Sequence, residues 1–501
     1  MSARAATRSL GELTAGFAAV PREISVSDVT LDSRAVVPGA LFLACRGRTH
    51  HGLEFAPEAL ARGAAAVLYD PAEARAVPRG VGGAFIAPVA QLHERVGVIA
   101  DRFFGAPSAR LTIAGITGTN GKTTCAWLLA QALNHCHRPA AYIGTLGFGI
   151  PPHVTPTPHT TSDAVTTHRE LEQLRAGGAA CVCMEVSSHA LDQARVNAVR
   201  FNTAVFTNLT RDHLDYHGTM AAYGDAKARL FAWPGLAWRV INIDDAFGAQ
   251  LAAREPAAAL VVTSRTSSAQ VPAGARFVCA RRVRPEPSGL LIEVHSSFGD
   301  VELPVRLVGE FNVDNALTVL AVLLAWEVPL AEAARALGRS RAASGRMEMF
   351  GGRGATPLAI VDYAHTPDAL ANALRAARLH CRGALRVVFG CGGDRDAGKR
   401  PLMGAIAAGL ADDLIITDDN PRTESPAHIV AQILTGIAAD TPHVVEHDRA
   451  LAIRLALERS APDDVVLIAG KGHEGYQLIG HERREFRDQA VVSAELARLP
   501  P

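Results

Sequence analysis

Short apolar runs alternate with amphipathic segments along most of the chain, and many of the runs end in loops rich in glycine and polar residues. A short apolar run between turn signals is typical of a buried strand, whereas apolar residues spaced three or four apart predict a helix. Strands that alternate with helices form parallel sheets, and ligands bind at the carboxyl ends of such strands. The pattern therefore predicts an α/β protein whose sites are built from loops that follow strands.

The alternation changes character along the chain and predicts three domains. Residues 1–106 give short β-like runs and alanine-rich helical segments, which predict a small α/β domain. Residues 107–341 begin with a buried strand and end with strands of antiparallel character and another helix, which predicts a central, mainly parallel domain. Residues 342–501 alternate strand and helix regularly, which predicts a Rossmann-like domain. A chain of 501 residues is long enough for about three domains.

The strongest single motif is LTIAGITGTNGKTT at residues 111–124. Its glycines allow successive backbone N–H groups to point at one anion beside the positive end of a helix. Lys122 adds a charge for terminal phosphates, and Thr123 adds a hydroxyl ligand for nucleotide-bound Mg²⁺. The strict phosphate-loop pattern needs glycine where this chain has Ile116, so the loop is a variant. We expect ATP and Mg²⁺ here, and a glycine turn that binds nothing is the alternative.

Composition limits the partners. Lys+Arg and Asp+Glu both number 50, and no arm or stripe is strongly basic, which argues against nucleic acid. The longest apolar stretch, near Val319–Trp326, is too short to span a bilayer, and the N-terminus lacks the apolar core of a signal peptide. The eight cysteines are scattered, as expected of reduced thiols. We expect a soluble, cytoplasmic monomer that binds small molecules and does not insert into membranes.

Lysine is rare in this chain. Of the 50 basic residues only four are lysines: Lys122, Lys227, Lys399 and Lys471. Lysine is a compact ammonium that can lose its proton or be modified, whereas arginine is a wide planar fork that stays charged. We therefore expect each lysine to carry chemistry that arginine cannot, and a chance distribution is the alternative.

Two further strands of the central region end in residues that suit a cation. Glu185 ends the strand CVCMEV, and Asp212 with His213 follows the strand FNTAVFTNL. A carboxylate and an imidazole suit a second divalent cation, although they could also only close loops. Lys227 on the next helix has the wrong charge for such a site. A carbamylated lysine would be an anion and would resolve the conflict.

Several other polar residues have two interpretations. Thr160 and Thr161 precede a predicted helix from Asp163 to Arg175, where they could cap the helix or hold a ligand. Asn312 and Asn315 lie in the first turn of a later helix and could bind an adenine edge or cap that helix.

Charged loops follow the strands of the third region. They carry Asp362, His365, Arg395, Asp419, Arg422, Lys471 and Glu474. Arginines bind carboxylates bidentately and acids bind ammonium groups, so this edge suits a zwitterionic amino acid. Ordinary loops on a Rossmann-like sheet are the alternative.

Together these stretches resemble the Mur ligase family, the ATP-dependent enzymes that add amino acids to the peptidoglycan precursor. The matching stretches are GITGTNGKTT, MEVSSHAL, FTNLTRDHLDYHG, GEFNVDNALTVLAV, SGRMEMF, VDYAHTPDAL, GCGGDRDAGKRPLMG, DNPRTE and AGKGHE. The resemblance implies a UDP-binding domain, a central ATPase and a C-terminal domain that brings the amino acid. It also implies phosphoryl transfer to the D-glutamate of UDP-N-acetylmuramoyl-L-alanyl-D-glutamate, followed by amide formation.

The same resemblance also implies which amino acid is added. DNPR resembles the members that add meso-diaminopimelate, because Arg422 offers a partner to the extra carboxylate that lysine lacks. A member that adds L-lysine is the alternative. DNPR and LDSR also argue against folylpolyglutamate synthase, and the charged C-terminal loops argue against a nucleotide-dependent switch.

The resemblance assigns residues as follows. The catalytic set is Lys122, Glu185, His213 and Lys227, and the metal set is Thr123, Glu185, His213 and carbamylated Lys227. The ATP set is Gly118, Thr119, Asn120, Gly121, Lys122, Thr123, Thr124, Asn312, Asn315, Arg346, Asp362 and His365. The UDP-sugar dipeptide set is Leu31, Ser33, Arg48, Thr49, His50, His159, Thr160, Thr161, Ser187, Gln193 and Arg195. The diaminopimelate set is Arg395, Asp419, Asn420, Pro421, Arg422, Gly470 and Glu474. His159 departs from the family, whose members often carry Asn there.

Overall fold

The structure is a computed structural model, and it describes residues 7–20, 23–47, 49–72, 83–254, 258–266, 269–286, 289–352 and 354–499. Arg48, which we expect to contact the UDP-sugar, lies outside the described residues. The chain divides into two compact units. The first unit comprises Met1–Lys122, His137–Ile241 and Phe247–Leu260, and the second comprises Thr123–Cys136, Asn242–Ala246 and Val261–Pro501.

The N-terminal part of the first unit holds a small parallel sheet. Its elements are β1 (Arg8–Ser9), α1 (Leu10–Thr14), β2 (Ser25–Val26), β3 (Val29–Thr30), β4 (Leu41–Ala44), α2 (Ala56–Ala61), β5 (Ala66–Tyr69), β6 (Phe85–Pro88) and α3 (Leu92–Phe103). Strands β3, β4, β5 and β6 pair in that order, all parallel. Leu41 and Leu43 face one apolar cluster and Phe42 faces another. Burial on both faces explains why these strands read as continuous apolar runs.

The next elements, in chain order, surround the phosphate loop. They are β7 (Thr112–Thr117), α4 (Lys122–His135), β8 (Ala140–Gly144), β9 (Gly147–Ile150), β10 (His153–Thr155), α5 (Ala164–Ala176), β11 (Cys181–Glu185), α6 (Ser188–Asp192), β12 (Thr203–Phe206), α7 (Leu214–His217), α8 (Met220–Ala228), β13 (Trp238–Asn242) and α9 (Ala246–Ala252). In the first unit the strand order is β10-β9-β8-β11-β7-β12-β13, with β9 and β10 antiparallel and the others parallel. The loops after β7, β11 and β12 therefore leave the same edge.

The second unit contains an antiparallel segment and a second parallel sheet. Its remaining elements are β14 (Ala259–Ser264), β15 (Arg276–Glu286), β16 (Gly289–Ser296), β17 (Val301–Val305), α10 (Phe311–Ala325), α11 (Leu330–Arg339), β18 (Glu348–Gly351), β19 (Leu358–Asp362), α12 (Pro367–Arg378), β20 (Leu385–Phe389), α13 (Lys399–Leu410), β21 (Asp413–Ile416), α14 (Pro426–Leu434), β22 (His443–Val445), α15 (Arg449–Glu458), β23 (Val465–Ala469), β24 (Tyr476–Ile479), β25 (Glu482–Glu485) and α16 (Asp488–Leu496). Strands β15, β16 and β17 are antiparallel, as the sequence predicts.

The C-terminal sheet has the order β18-β19-β23-β20-β21-β22 and is parallel except for β18. Ile360 and Val387 pack in the apolar cluster on one face, and Val361 and Val388 pack in the cluster on the other. This two-sided burial matches the prediction of a Rossmann-like α/β arrangement. The predicted fold class is confirmed.

Two simpler predictions concern the cysteines and the apolar helix. None of the eight cysteines, all of which lie in described segments, forms a disulfide. The apolar stretch near Val319–Trp326 lies in α10, which is buried along nearly its whole length. In the part of the chain that the structure describes, no helix is both long and apolar enough to cross a membrane.

Candidate active site

The phosphate loop connects β7 directly to the N-terminus of α4. Gly118 has φ +151° and Gly121 has φ +85°, which L side chains rarely adopt. A Cβ at Gly118 would lie 1.9 Å from Thr207 Oγ1, so only glycine fits there. Lys122 Nζ folds back over the loop and donates to Gly118 O at 2.9 Å and Thr119 O at 2.8 Å. The loop has the backbone curvature and the cation that a phosphate chain needs.

The segment after β12 fixes the shape of this loop. Thr119 N donates to Asn208 O at 2.8 Å, and Asn120 N donates to Asn208 Oδ1 at 2.9 Å. Thr207 Oγ1 donates to Asn120 O at 2.6 Å. The sequence motif does not reveal these contacts, because the partners lie almost ninety residues apart. The loop is therefore preorganised by the neighbouring strand.

Lys227 reaches the same loop from α8. Its residue is 1% exposed, its Nζ donates to Gly118 O at 2.8 Å, and Nζ lies 4.3 Å from the centre of the Tyr223 ring. The pKa of Lys227 is lowered to about 6, mainly by burial and also by the charge of Lys122, while Asp212 opposes the shift. The amine is therefore mostly neutral near pH 7. A neutral amine is the form that reacts with CO₂.

Glu185 lies at the end of β11 and is fully buried. Its Oε1 accepts hydrogen bonds from Tyr142 Oη at 2.5 Å and Thr145 N at 2.9 Å, and its Oε2 accepts from Thr145 Oγ1 at 3.3 Å. A Cβ at Gly144 would lie 2.2 Å from Oε1, so the carboxylate fits against bare backbone. These contacts fix the carboxylate at the carboxyl end of the parallel strands.

His213 belongs to a cluster of rings beyond β12. Its Nε2 lies 3.5 Å from Asp212 Oδ2, and its ring centre lies 4.9 Å from that of His189 and 5.9 Å from that of Tyr223. Within the described segments, no group of three or more His, Cys, Asp and Glu residues is arranged to hold a metal ion. The metal set that we expect includes Thr123 and a modified lysine, so it remains a prediction.

Thr160 and Thr161 do not cap the following helix. Asp163 caps α5, because its Oδ1 accepts from Val165 N at 2.9 Å and Thr166 N at 3.1 Å. Thr161 Oγ1 instead donates to Glu185 O at 3.0 Å, and Thr160 Oγ1 lies 3.0 Å from Thr145 Oγ1. Thr161 therefore contacts Glu185, and Thr160 contacts Thr145, which is a hydrogen-bond partner of Glu185.

The other residues expected to bind the dipeptide join this network. Ser187 N donates to Thr161 Oγ1 at 3.3 Å, and Arg195 Nη1 donates to Thr161 O at 3.1 Å. Arg195 also donates to Gln193 Oε1 from Nε at 2.9 Å and from Nη2 at 2.5 Å. Four of the predicted residues are therefore linked to one another by hydrogen bonds, whereas His159 is exposed on the preceding loop.

The residues expected to bind UDP follow two neighbouring parallel strands. Leu31 and Ser33 follow β3, and Thr49 and His50 follow β4. Ser33 Oγ donates to Glu58 Oε2 at 2.6 Å and is buried, whereas Thr49 and His50 are exposed. Both loops leave the same edge of the N-terminal sheet.

In the second unit, Asn312 and Asn315 lie in the first turns of α10. Asn312 Nδ2 donates to Val308 O at 2.7 Å, and Asn315 Nδ2 donates to Asn312 Oδ1 at 2.8 Å. The capping alternative is not observed, because the N-cap residue of α10 is Glu310 and Asn312 donates to a carbonyl instead of accepting from a helix N–H. Adenine binding by these amides remains a prediction.

Arg346, Asp362 and His365 come from loops that meet beside Tyr363. Asp362 Oδ2 accepts from Met347 N at 2.8 Å, and Arg346 Cζ lies 5.1 Å from the Tyr363 ring centre. Burial raises the pKa of Asp362, and the charge of Arg346 opposes that shift. His365 Nδ1 lies 2.8 Å from Tyr363 O. Sequence reasoning missed Tyr363, although it stands between two of the predicted residues.

The residues predicted to bind the incoming amino acid lie at the carboxyl ends of β20, β21 and β23. Asn420 Nδ2 donates to Glu474 Oε2 at 2.7 Å, and Arg422 Nη1 donates to Gly393 O at 2.7 Å. A Cβ at Gly470 would lie 2.6 Å from Asp419 Oδ2, so glycine allows the close approach. Pro421 is buried between these contacts, and Arg395 is exposed in the loop after β20.

The hairpin of β24 and β25 supports this loop and is absent from the predicted elements. Arg422 N donates to Leu478 O at 3.0 Å, and Gly480 N donates to Arg422 O at 2.7 Å. Gln477 Nε2 donates to Asp419 O at 2.9 Å. The alternation of YQLI and the glycine turn after it were the sequence signals for this hairpin.

Comparisons with known proteins match most of the chain. Family models match residues 25–103 (Mur ligase family, catalytic domain), 116–323 (Mur ligase middle domain) and 345–472 (Mur ligase, glutamate ligase domain). The chain is 51% identical over 482 residues to UDP-N-acetylmuramoyl-L-alanyl-D-glutamate--2,6-diaminopimelate ligase of Xanthomonas campestris pv. campestris, covering 95% of each chain. It is 46% identical over 481 residues to the protein of the same name from Pseudomonas aeruginosa, covering 96% of this chain and 97% of that one.

Solved structures agree with the sequence relatives. A structure of UDP-N-acetylmuramoyl-L-alanyl-D-glutamate--2,6-diaminopimelate ligase aligns with a TM-score of 0.73 and 34% identity, covering 98% of this chain and 99% of that chain. With full-length relatives of this identity and family models over all three regions, the chain belongs to the Mur ligase family.

Proposed function

We propose that this protein is an ATP-dependent, ADP-forming ligase of peptidoglycan precursor synthesis. It joins meso-2,6-diaminopimelate to the D-glutamate of UDP-N-acetylmuramoyl-L-alanyl-D-glutamate. The observation that carries the proposal is the identity of about half over nearly the full length with relatives of that name. The phosphate loop and the dipeptide network of the first unit support it, and so do the charged loops of the second unit.

The reaction has two steps, phosphoryl transfer and then amide formation. First, an oxygen of the D-glutamate γ-carboxylate forms a bond to the γ-phosphorus of ATP, and the bond from that phosphorus to the bridging oxygen breaks, which releases ADP. The amino nitrogen of diaminopimelate then bonds to the acyl carbon and loses a proton. The carbon–oxygen bond to phosphate breaks, and an amide and inorganic phosphate are formed.

The phosphate loop is suited to the first step. Lys122 Nζ now binds the carbonyls of Gly118 and Thr119, and these can release it to the terminal phosphates of ATP. A cation there offsets the negative charge that builds as two anions approach. Thr161, Ser187, Gln193 and Arg195 would bind the dipeptide end of the acceptor, while Leu31, Ser33, Arg48, Thr49 and His50 would bind its UDP end.

The residues that we propose to hold Mg²⁺ lie at or after the ends of β7, β11 and β12. The oxygen donors of Thr123 and Glu185 and the imidazole of His213 are hard or borderline ligands, which suit a divalent cation. Once bound, Mg²⁺ would neutralise phosphate charge and orient the transferred group. The burial and hydrogen bonding of Glu185 keep its carboxylate in a fixed position for this role.

We also propose that Lys227 carries a carbamate. Its amine is buried beside the phosphate loop and its pKa is lowered to about 6, so the neutral amine that adds CO₂ predominates near pH 7. The nitrogen–carbon bond forms as the amine loses a proton, and the product carries a negative charge. This change gives the loop an anion that can support Mg²⁺ and that lies near the cation of Lys122.

The loops of the second unit are suited to the amino acid. Asp419 and Glu474 would bind an ammonium group, and Arg422 would bind the carboxylate that distinguishes diaminopimelate from lysine. Asn420, Pro421 and Gly470 would shape the pocket around them, and Arg395 would add a second guanidinium. The residues of this unit that we propose to contact ATP are Asn312, Asn315, Arg346, Asp362 and His365.

The proposal also covers the domain boundaries, the partners, the location and the oligomeric state. The matched family ranges support domains at 1–106, 107–341 and 342–501 for UDP-sugar, ATP and amino acid. The balanced net charge favours small-molecule partners over nucleic acid. We place the enzyme in the cytoplasm, because its substrates are a nucleotide-linked precursor, ATP and a free amino acid, and we propose that it is a monomer.

The test is phosphate release from ATP with the UDP-linked dipeptide present and with diaminopimelate, lysine or no amino acid added. We expect release only with diaminopimelate, matched by a tripeptide product in mass spectrometry. Release with lysine instead would keep the ligase and overturn the role of Arg422. Release that needs no amino acid and yields no amide would favour a nucleotide-dependent switch.

A further inference from the structure

Lys471 receives no role in the reaction above, although it lies at the centre of the amino-acid loops. It follows β23, and its side chain is fully buried. Its Nζ donates to Asn420 Oδ1 at 3.1 Å and to Glu474 Oε2 at 3.3 Å, and it lies 3.9 Å from Asp419 Oδ1. Three side chains proposed to receive the amino acid therefore converge on one nitrogen.

We propose that Lys471 is a positioning residue of the amino-acid site, whose ammonium holds Asn420 and Glu474 in the arrangement that receives the ammonium of the incoming substrate. Asn420 Nδ2 donates to Glu474 Oε2 at 2.7 Å, and Leu478 N donates to Asn420 Oδ1 at 2.8 Å. Lys471 bonds to both acceptor oxygens and closes this network. The inference rests on the proposed function, because it assigns the site to an amino acid.

The geometry explains why this position is lysine in a chain that otherwise uses arginine. An ammonium presents three N–H donors from one atom, so it can satisfy three converging oxygens, whereas a guanidinium is a flat and wider fork. The loop backbone on either side of Lys471 is also closely packed. A Cβ at Gly470 would lie 2.6 Å from Asp419 Oδ2, and a Cβ at Gly472 would lie 2.6 Å from Tyr363 Cβ.

The charges around Lys471 leave one negative charge for the substrate. The charged groups that act on it are Asp419, Glu474, Arg449 and Asp488, and its Nζ lies 5.7 Å from the centre of the Tyr476 ring. Arg449 and Asp488 form a buried pair through bonds of 2.7 Å and 2.8 Å and so balance each other. Asp419 and Glu474 remain against the single cation of Lys471. One ammonium of an amino acid would complete the balance.

The pKa directions agree with this arrangement. Burial lowers the pKa of Lys471, and Asp419 and Glu474 oppose that shift. Burial raises the pKa of Asp419, and Arg449 and Lys471 oppose that shift. Lys471 therefore helps to keep Asp419 ionised, which is the state that binds an ammonium group.

The test compares Lys471→Met and Lys471→Arg with wild type in the full-length protein. Arg483→Met is the matched control, because Arg483 lies on exposed β25 with its Cζ 4.2 Å from the ring centre of Tyr476, whereas Lys471 Nζ lies 5.7 Å from that centre. We expect Lys471→Met to raise KM for diaminopimelate about tenfold or more, and to leave KM for ATP and for the UDP-linked dipeptide within about twofold. Lys471→Arg should not restore the lost affinity, and Arg483→Met should match wild type.

The pH profile adds a readout that a merely structural role would not move. The acid limb of kcat/KM for diaminopimelate should shift to higher pH in Lys471→Met, because Asp419 loses a nearby cation that lowers its pKa. An unchanged KM for diaminopimelate, or an equal loss for all three substrates, would overturn the inference. Wild-type affinity in Lys471→Arg would also overturn it.

Two further measurements distinguish a variant that does not fold from a wrong proposed function and from a wrong role of Lys471. If Lys471→Met does not fold, as judged by thermal unfolding, Lys471→Gln is measured by the same criteria, since it keeps a polar group without the charge. Wild-type protein that shows no phosphate release with any amino acid would refute the proposed function. An active wild type with an unchanged KM in the lysine variants would refute only the role of Lys471.

Discussion

The buried pair of Arg449 and Asp488 gives a prediction about the stability of the protein and about the loops proposed to bind the amino acid. Both side chains are 0% exposed, and Arg449 bonds to Asp488 from Nε at 2.7 Å and from Nη2 at 2.8 Å. Arg449 Nη2 also donates to Ala469 O at 3.1 Å. The guanidinium thus ties the starts of α15 and α16 to the end of β23, next to Lys471.

Replacing Arg449 alone should be costly. Arg449→Met leaves the Asp488 carboxylate buried without a partner, and loss of one member of a buried pair costs about 3–5 kcal/mol. The double variant Arg449→Met/Asp488→Leu removes both charges, and such replacements are often neutral or stabilising by about 1–4 kcal/mol. We therefore expect the double variant to recover most of the stability that the single variant loses.

The loss should also depend on pH. The pKa of Asp419 is raised by burial and lowered by Arg449, so removing Arg449 raises it further. A group whose pKa is raised in the folded state takes up a proton on folding, and its favourable contribution is lost as pH rises through the folded pKa. The deficit of Arg449→Met relative to wild type should therefore be smaller in mild acid than at alkaline pH.

Amide hydrogen exchange is the suitable assay, because it reports the opening free energy of each segment without assuming that the whole chain unfolds at once. Peptides covering β20 and β23 should lose protection in Arg449→Met and regain it in the double variant. A single variant that loses less than about 1 kcal/mol, or a double variant that is worse than the single one, would refute the reasoning.

Three further predictions concern the catalytic loops. Lys227→Arg should abolish turnover because arginine cannot be carbamylated, whereas Arg229→Met, which replaces an exposed residue two positions away, should stay active. Wild-type turnover of Lys227→Arg in a coupled phosphate assay would contradict the proposal. Arg422→Ala should lower the preference for diaminopimelate over lysine about tenfold or more in competition kinetics, so an unchanged ratio contradicts the role of that guanidinium. Gly118→Ala should raise KM for ATP at least tenfold because its Cβ would lie 1.9 Å from Thr207 Oγ1, and normal ATP affinity in a binding titration would show that the loop tolerates it.

The sequence by itself determined which loops carry the chemistry. Apolar runs such as Ile113–Ile116 and Val465–Ala469 are buried strands because they are apolar on both faces, and the polar residues that follow them must lie at the carboxyl edge. The glycines and Lys122 of the phosphate loop form a contiguous motif, so local backbone geometry was enough to identify it. The scarcity of lysine, which is a property of composition alone, also points to Lys227 and Lys471.

Only the tertiary structure decided which partners these residues have. Lys227 bonds to Gly118 O across 109 positions, and the resulting burial is what lowers its pKa to about 6. Asp163, not Thr160 or Thr161, caps α5. Thr161 Oγ1 instead donates to the carbonyl of Glu185 at the end of β11. Local patterns report propensity and periodicity, whereas burial, charge balance and hydrogen-bond partners depend on segments that meet only when the chain folds.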